Sequence, residues 1–310
     1  MKQLHPPKGN FDSSPPTGFW KNAKGKAENY FLMTRPYSTF GDYPLTTVVS
    51  KTTVSASLNP TPTDVLNLLS LFGLWAALNW TLESEHKHDN RPSISRKVAD
   101  VTFAVVGMVG AIINPATLVM TGIHYLTSVL YSKKEGSSDF LSQASFLVRG
   151  IGQSACYFFS QLFYSTSLTP KHLAIGLVIG LVTASRNLVG DLRDIKYDEK
   201  TFPKVHGEKI GRLVATGLKL TAAGLLFTLT DSVLVAVPLL LESALTIFHK
   251  NNQNLHRISG IGTTATLANV VLANLGMESA AVISDFLYIS GVANLVFYTK
   301  MPRRSNQDYH

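Results

Sequence analysis

The chain has 310 residues, of which 45% are hydrophobic, and it carries a net charge of +8 and a single cysteine, Cys156. One cysteine excludes an internal disulfide and argues against a thiolate metal site. A surplus of positive charge can indicate nucleic-acid binding, but the basic residues are dispersed at the ends of apolar segments, so a nucleic-acid partner is excluded.

Polar tails flank the apolar part of the chain. Residues 1–34 are rich in Pro, Gly, Ser, Asn and Lys and contain no apolar run, which predicts a mobile tail. The same stretch lacks the apolar core of a secretory signal peptide. A second polar tail is expected at residues 301–310, and residues 35–300 are expected to form one membrane domain.

Ten apolar helices are predicted in chain order between these tails. Most approach the roughly 20 residues that cross a bilayer core, and no alternating strand pattern competes with them. They cover about residues 41–57, 63–82, 98–113, 116–131, 140–165, 170–185, 210–229, 232–249, 258–275 and 279–298. The last two are short, so the count is nine or ten. The predicted fold is an all-α, polytopic membrane helical bundle.

The distribution of positive charge predicts how this bundle is oriented. If the N-terminus is cytoplasmic and ten helices alternate, 24 of the 28 Lys and Arg residues fall in cytoplasmic segments. Only Lys171 falls in an outer loop, and Lys51, Arg149 and Lys219 fall within helices. This bias agrees with the positive-inside rule. We therefore expect an integral, multi-pass membrane protein whose acid-rich segments face the cytoplasm.

A row of acidic residues follows the sixth predicted helix. Asp191, Asp194 and Asp198 are spaced at i, i+3 and i+7, and Asn187 lies one turn earlier, so a helix would align all four on one face. Stacked carboxylates repel one another unless a cation neutralises them, and oxygen-only ligands favour Mg²⁺ shared with substrate phosphates. The spacing alone equally allows a solvated charged loop after a membrane helix.

A second acid-rich loop follows the second predicted helix, where the sequence reads ALNWTLESEHKHDNRPSISR from Ala77. Both loops end an apolar helix at the predicted cytoplasmic side, and both have Arg or Lys close behind. Two facing acid clusters can hold two Mg²⁺ ions and clamp a pyrophosphate, with cationic side chains completing its shell.

These two segments resemble the aspartate motifs of the UbiA superfamily of intramembrane prenyltransferases. The segment RNLVGDLRDIKYDEKTFPKVHGEKIG from Arg186 is similar to the second motif, with its D-x-x-D-x-x-x-D spacing, and the loop after Asn79 is similar to the first. The Thr34-Arg35-Pro36 start of the first helix and the Tyr131-Ser132-Lys133-Lys134 end of the fourth also fit. The resemblance covers roughly residues 34–300.

The resemblance implies Mg²⁺-dependent transfer of a prenyl group from a prenyl diphosphate to a lipophilic acceptor within the membrane. It implies that Asp191, Asp194 and Asp198 are the catalytic residues and hold one metal ion. It implies a second metal at Asn79, Glu83 and Asp89. It further implies a substrate-binding set made of Arg35, Asn79, Arg91, Lys133, Lys134 and Asn187.

The first motif departs from the family pattern. Trp80 stands where the family has Asp, Glu83 replaces the next Asp, and the final acid, Asp89, is displaced by two residues. The site is then either re-formed by Glu83, Glu85 and Asp89 or weakened. The alternatives are a membrane terpene cyclase on the same scaffold and a non-catalytic membrane protein of the same fold.

Ionisable residues within the predicted helices are costly in lipid, so each should face a cavity or a partner. They either line the acceptor pocket or form ion pairs between helices. Three tyrosines either shield a carbocation or serve packing. The residues concerned are Lys51, His124, Arg149, Lys219, Glu242 and Asp285, and the tyrosines are Tyr125, Tyr131 and Tyr157.

Overall fold

The computed structural model describes residues 36–55, 57–85, 95–134, 138–196, 198 and 200–276. Within these residues the chain forms eleven helices, nine long and two short. They are α1 (Pro36–Val54), α2 (Pro62–Glu85), α3 (Arg96–Ile113), α4 (Thr117–Ser132), α5 (Asp139–Gln143), α6 (Ser145–Gln161), α7 (Pro170–Arg193), α8 (Phe202–His206), α9 (Glu208–Thr230), α10 (Val233–Phe248) and α11 (Asn252–Leu275).

The nine long helices correspond to the first nine predicted ones. One of them is shorter than predicted, because Ala144 leaves helical geometry at φ −85° and ψ 1° and divides the 140–165 segment into α5 and α6. The predicted helix at 279–298, both tails and Asp285 lie outside the described residues.

Helix α4 shows how the bundle is suited to lipid. Its buried residues are hydroxyl-bearing except for His124, which lies beside the Gly152 carbonyl with Nδ1 3.0 Å from the oxygen. Three of its large apolar residues, Leu118, Val119 and Leu126, are exposed instead. Helix α3 likewise exposes one apolar face, formed by Val101, Val105, Met108 and Ile112. An apolar outside around a polar inside is stable in hydrocarbon, where polar groups must find partners within the protein.

Four described helices are long and apolar enough to cross a bilayer. They are Pro62–Leu82, Pro170–Arg193, Glu208–Thr230 and Asn252–Leu275. With the outward-facing apolar residues, they support the predicted polytopic membrane bundle.

The long helices form two groups that meet at α6 and α7. In the first group α2, α3, α4 and α6 pack together, and in the second α7, α9, α10 and α11 do so. Helix α1 closes the bundle by contacting α2, α6 and α11. The contact between α6 and α7 is unusually close: a Cβ added to Gly150 would lie 2.5 Å from the carbonyl oxygen of Gly180. Only glycine at position 150 permits this approach.

Two ion pairs hold Lys51, Lys219 and Glu242, three of the ionisable residues predicted within the helices. Lys219 in α9 pairs with Glu242 in α10 at 2.9 Å between Nζ and Oε2, and both side chains are almost completely buried. Lys51 pairs with Asp64 at 2.6 Å, at the end of the bundle away from the aspartates. The interhelical ion-pair interpretation is confirmed for Lys51, Lys219 and Glu242. Arg149 behaves differently and belongs to the site described next.

Candidate functional site

The last turns of α7 carry the centre of the candidate site. Asp191 is buried, and Asn187 one turn earlier accepts a hydrogen bond from the Tyr131 hydroxyl at 3.3 Å. The helix ends at Arg193, because Asp194 takes φ −92° and ψ 7°. The predicted helical row is therefore right for Asn187 and Asp191 but wrong for Asp198, which lies beyond the helix. Its backbone N–H still donates to the Asp194 carbonyl at 3.0 Å.

The two carboxylate oxygens of Asp191 have different surroundings. Oδ1 lies 3.5 Å from Nζ of Lys134, the predicted substrate-binding lysine just after α4. Oδ2 is buried and has no hydrogen-bond partner among the described residues. A buried carboxylate oxygen without a donor is costly, so this atom is suited to accept a cation or a donor from a ligand.

Asp194 is held by its neighbour Arg193. The guanidinium donates from Nε to Oδ1 at 2.8 Å and pairs through Nη2 with Oδ2. Within the described part of the chain, no three His, Cys, Asp or Glu side chains converge closely enough to hold a metal ion. The three aspartates are thus not assembled into a ligand set, and Asp194 would have to exchange Arg193 for a metal.

Arg149 supplies a buried cation that the sequence analysis did not assign to the site. Its Cζ lies 5.0 Å from the ring centroid of Trp75 and 5.9 Å from that of Tyr131. Its Nη1 is buried and has no hydrogen-bond partner among the described residues. Since Tyr131 also contacts Asn187 and lies 5.4 Å from Lys134 Nζ, both cations lie beside the end of α7. The sequence signal that could have placed Arg149 in the site is its position in the second turn of α6, at the end of the bundle where the aspartates lie.

The second predicted metal site is described only at Asn79. This residue is buried at the end of α2, and its Nδ2 donates to the Trp75 carbonyl at 2.9 Å, which leaves Oδ1 as its acceptor. The Glu83 side chain, Asp89 and Arg91 lie outside the described residues, as does Arg35.

Three other predicted residues lie apart from the cluster. Lys133 is exposed. Tyr125 is at the surface, beneath Arg96, whereas Tyr157 is buried and donates to Gln161 at 3.1 Å, as expected for packing.

Solved structures share this arrangement of helices, although no protein-family model and no curated protein matches the chain. A digeranylgeranylglyceryl phosphate synthase superimposes with a TM-score of 0.62 at 16% identity, covering 81% of this chain and 99% of that one. A UbiA homologue from Aeropyrum pernix K1 gives 0.60 at 15% identity, covering 80% of this chain and 97% of that one. The chain has the UbiA fold.

A third structure with the UbiA fold bears on the ligands. This UbiA homologue from Archaeoglobus fulgidus was solved with GPP and Mg²⁺ bound, and it gives a TM-score of 0.53 at 13% identity over 87% of this chain and 98% of that one. Identities of this size establish the fold alone. The resemblance read from the motifs is confirmed at that level, and so is the expectation of an integral membrane protein.

The residues of the site fit a hard divalent cation in part. Asp191 offers an unpartnered carboxylate oxygen, and oxygen ligands are what Mg²⁺ takes, with phosphate oxygens and water filling its remaining positions. The buried Nη1 of Arg149 fits an anion in the same cluster. A ligand that carries both a cation and an anion would give each of these two groups the partner that it lacks among the described residues.

Proposed function

We propose that this protein transfers a prenyl group from a prenyl diphosphate to a lipophilic acceptor within the membrane, and that it requires Mg²⁺. The observation that carries the proposal is a pair of buried atoms of opposite sign, Asp191 Oδ2 and Arg149 Nη1, which have no hydrogen-bond partner among the described residues. The UbiA fold and the neighbour solved with GPP and Mg²⁺ support the same substrate class.

The residues of the site have different roles according to their charge. Arg149 and Lys134 donate to the diphosphate, where a guanidinium can form two parallel bonds and an ammonium acts as a point charge. Asp191 and Asn187 would hold Mg²⁺, which would neutralise charge on the departing diphosphate. Because these donors are fixed before the reaction, they stabilise developing charge without reorganising.

Aromatic side chains frame the same region. The rings of Trp75 and Tyr131 both lie close to the Arg149 guanidinium, at 5.0 and 5.9 Å from Cζ, and Tyr43 of α1 lies 5.1 Å from Trp75 between ring centroids. Their faces exclude water and favour positive charge, which protects an allylic cation from hydrolysis.

Asn79, Glu83 and Asp89 are proposed to hold a second Mg²⁺. With Trp80 in place of an acid, fewer charged oxygens remain, so this ion should bind more weakly than the ion at Asp191. We expect Glu83→Gln and Asp89→Asn to raise the Mg²⁺ concentration required for turnover. If both variants titrate like the parent, the first loop holds no metal.

The test is diphosphate release by the purified protein in nanodiscs, with Mg²⁺ and prenyl diphosphates of several chain lengths. Asp191→Asn should lower the rate about 100-fold or more, as when electrostatic stabilisation of a leaving group is lost. Asp194→Asn should have a smaller effect, because Arg193 already neutralises that carboxylate. Asp100→Asn, a surface member of an ion pair with Arg96, is the matched control.

The products separate the alternatives. Prenyl transfer predicts release that depends on an added acceptor, with a prenylated product. A cyclase would release diphosphate without any acceptor and yield a hydrocarbon. Parent protein that releases no diphosphate from any donor would contradict the proposal and favour a non-catalytic role.

A further inference from the structure

A second polar cluster joins three helices deeper in the bundle. Arg186 of α7 pairs with Asp42 of α1 at 2.8 Å between Nη1 and Oδ2. The Thr264 hydroxyl of α11 donates to Asp42 Oδ1 at 3.0 Å. These contacts connect residues 144 and 222 positions apart in the chain. We call these three residues the inner cluster.

The inner cluster borders the site of the proposed function. Arg186 is five residues before Asp191, so it lies about 7 Å further into the membrane along α7. Arg186 is next to Asn187, and Asp42 is next to Tyr43, whose ring contacts Trp75. Helices α1 and α7 therefore each contribute one residue to the inner cluster, Asp42 and Arg186. The next residue of each helix, Tyr43 or Asn187, lies on the side of the proposed diphosphate site.

The hydrogen-bonding capacity of the inner cluster is only partly used. A guanidinium has five N–H donors, and among the described residues Arg186 uses one, to Asp42. Each Asp42 carboxylate oxygen accepts one bond from a side chain and can accept about two. No nitrogen of Arg186 is both fully buried and unsatisfied, so its remaining donors reach accessible space.

The backbone opposite Arg186 keeps this space open. A Cβ added to Gly260 would lie 3.4 Å from Nη2 of Arg186, so a larger side chain there would crowd the guanidinium. Two of the interhelical ion pairs differ in exposure. The side chains of Lys219 and Glu242 are 0% and 3% exposed, whereas those of Arg186 and Asp42 are 23% and 15% exposed. The first pair can only be structural, and the second can still reach a ligand.

We propose that the inner cluster binds the polar head of the acceptor, and that this head carries a hydroxyl group. The hydroxyl donates to Asp42, and its oxygen accepts from Arg186, so one group satisfies both partners. Because Arg186 and Asn187 are consecutive residues of α7, a head held by the inner cluster would lie beside the proposed diphosphate site. The role of the ligand as an acceptor rests on the proposed prenyl transfer. The binding of a hydroxyl group rests only on the contacts of the inner cluster.

The test is binding of hexylphenol to the protein in nanodiscs by calorimetry, without Mg²⁺ or prenyl diphosphate. The probes for comparison are hexylanisole, which lacks the O–H, and hexyl phosphate. A site that hydrogen-bonds a hydroxyl rejects an analogue without it strongly. We expect hexylphenol to bind at least 10-fold more tightly than both probes.

Variants then assign the binding to the cluster. Asp42→Asn and Arg186→Gln should each weaken hexylphenol binding about 10-fold or more, and Thr264→Val should weaken it less. Asp64→Asn breaks the other ion pair that involves α1 and is the matched control, with unchanged binding expected. Binding of a prenyl diphosphate with Mg²⁺ should stay within about 2-fold in all of them.

Three results would overturn the inference. The first is equal binding of hexylphenol and hexylanisole by the parent. The second is tighter binding of hexyl phosphate than of hexylphenol by the parent. The third is that Asp42→Asn and Arg186→Gln weaken binding of the prenyl diphosphate and leave binding of hexylphenol unchanged. The probe comparison uses the parent protein, so it decides the matter even if a variant fails to fold. Failure of the proposed function shows separately, as absence of diphosphate release by the parent.

Discussion

Replacement of Arg149 tests whether its buried charge serves the reaction or the fold. Arg149→Met keeps the length and apolar stem of the side chain but removes the guanidinium. Loss of one positioned donor to a developing negative charge costs about 100- to 1,000-fold in kcat. Arg149→Lys keeps the charge without the planar fork, so it should recover part of this loss.

The effect on folding should be small, because two contributions oppose each other. Removing the contacts with Trp75 and Tyr131 costs about 0.5–2 kcal/mol for each cation–π pair. Arg149 Nη1 is buried without a hydrogen-bond partner among the described residues, so its removal recovers about 1–3 kcal/mol of desolvation penalty. The sum lies near zero, so Arg149→Met should unfold close to the parent.

Two measurements are made on each variant: the initial rate of diphosphate release, and the free energy of unfolding by denaturant in detergent. Arg96→Met is the matched control, because Arg96 also lies over a tyrosine ring, at 5.6 Å from Tyr125, but pairs with Asp100 at the surface. Arg149→Met with near-parental turnover would refute the assignment. A stability loss as large as that of a broken buried ion pair would assign Arg149 to the fold.

Three further predictions concern the frame around the site. Lys219→Met should destabilise the protein by about 3–5 kcal/mol by leaving Glu242 unpaired, and adding Glu242→Leu should restore most of it in denaturant unfolding. Gly262→Ala should lower the melting temperature, because a Cβ there would lie 1.7 Å from Glu242 Oε1. Cysteine placed at Lys200 should resist an impermeant reagent applied outside intact cells, whereas cysteine placed at Lys171 should react.

Each of these has a contrary result. If the Lys219 single variant is as stable as the double variant, leaving Glu242 unpaired has no cost. A parental melting temperature for Gly262→Ala would mean that Glu242 adopts another position. Ready labelling at position 200 from outside would reverse the predicted orientation of the acid motifs.

The sequence was most informative about where helices begin and end. Apolar runs near bilayer length, separated by breaks such as Asn114-Pro115, predicted all nine long helices of the described residues. Burial in lipid dominates the local conformational preference of such runs. The end of α7 was less accessible. The row from Asn187 to Asp198 assumed a continuous helix, but the chain turns at Asp194.

Side-chain partners were the least predictable part. The hydrogen bond between Tyr131 and Asn187 joins residues 56 positions apart, and the Arg186–Asp42 pair joins residues 144 apart. Helical spacing says which residues share a face but not which helix that face meets. For that reason Arg149 was recognised as costly in lipid without being placed beside Tyr131, the residue that contacts Asn187 of α7.

The close approach at Gly150 and Gly180 has a consequence for how this protein could vary over evolution. Arg149 comes from one helix group and Asp191 from the other, and the glycine contact sets the spacing between their helices. Gly180 is eleven residues before Asp191, about 16 Å along α7. A single methyl there would lie 2.3 Å from the Ser154 hydroxyl and 3.3 Å from the Gly150 carbonyl oxygen, so it would strain the contact between α6 and α7 without touching either charge. The α6–α7 junction should therefore stay fixed in descendants, whereas α1, α10 and α11 lie outside this junction and can change more freely.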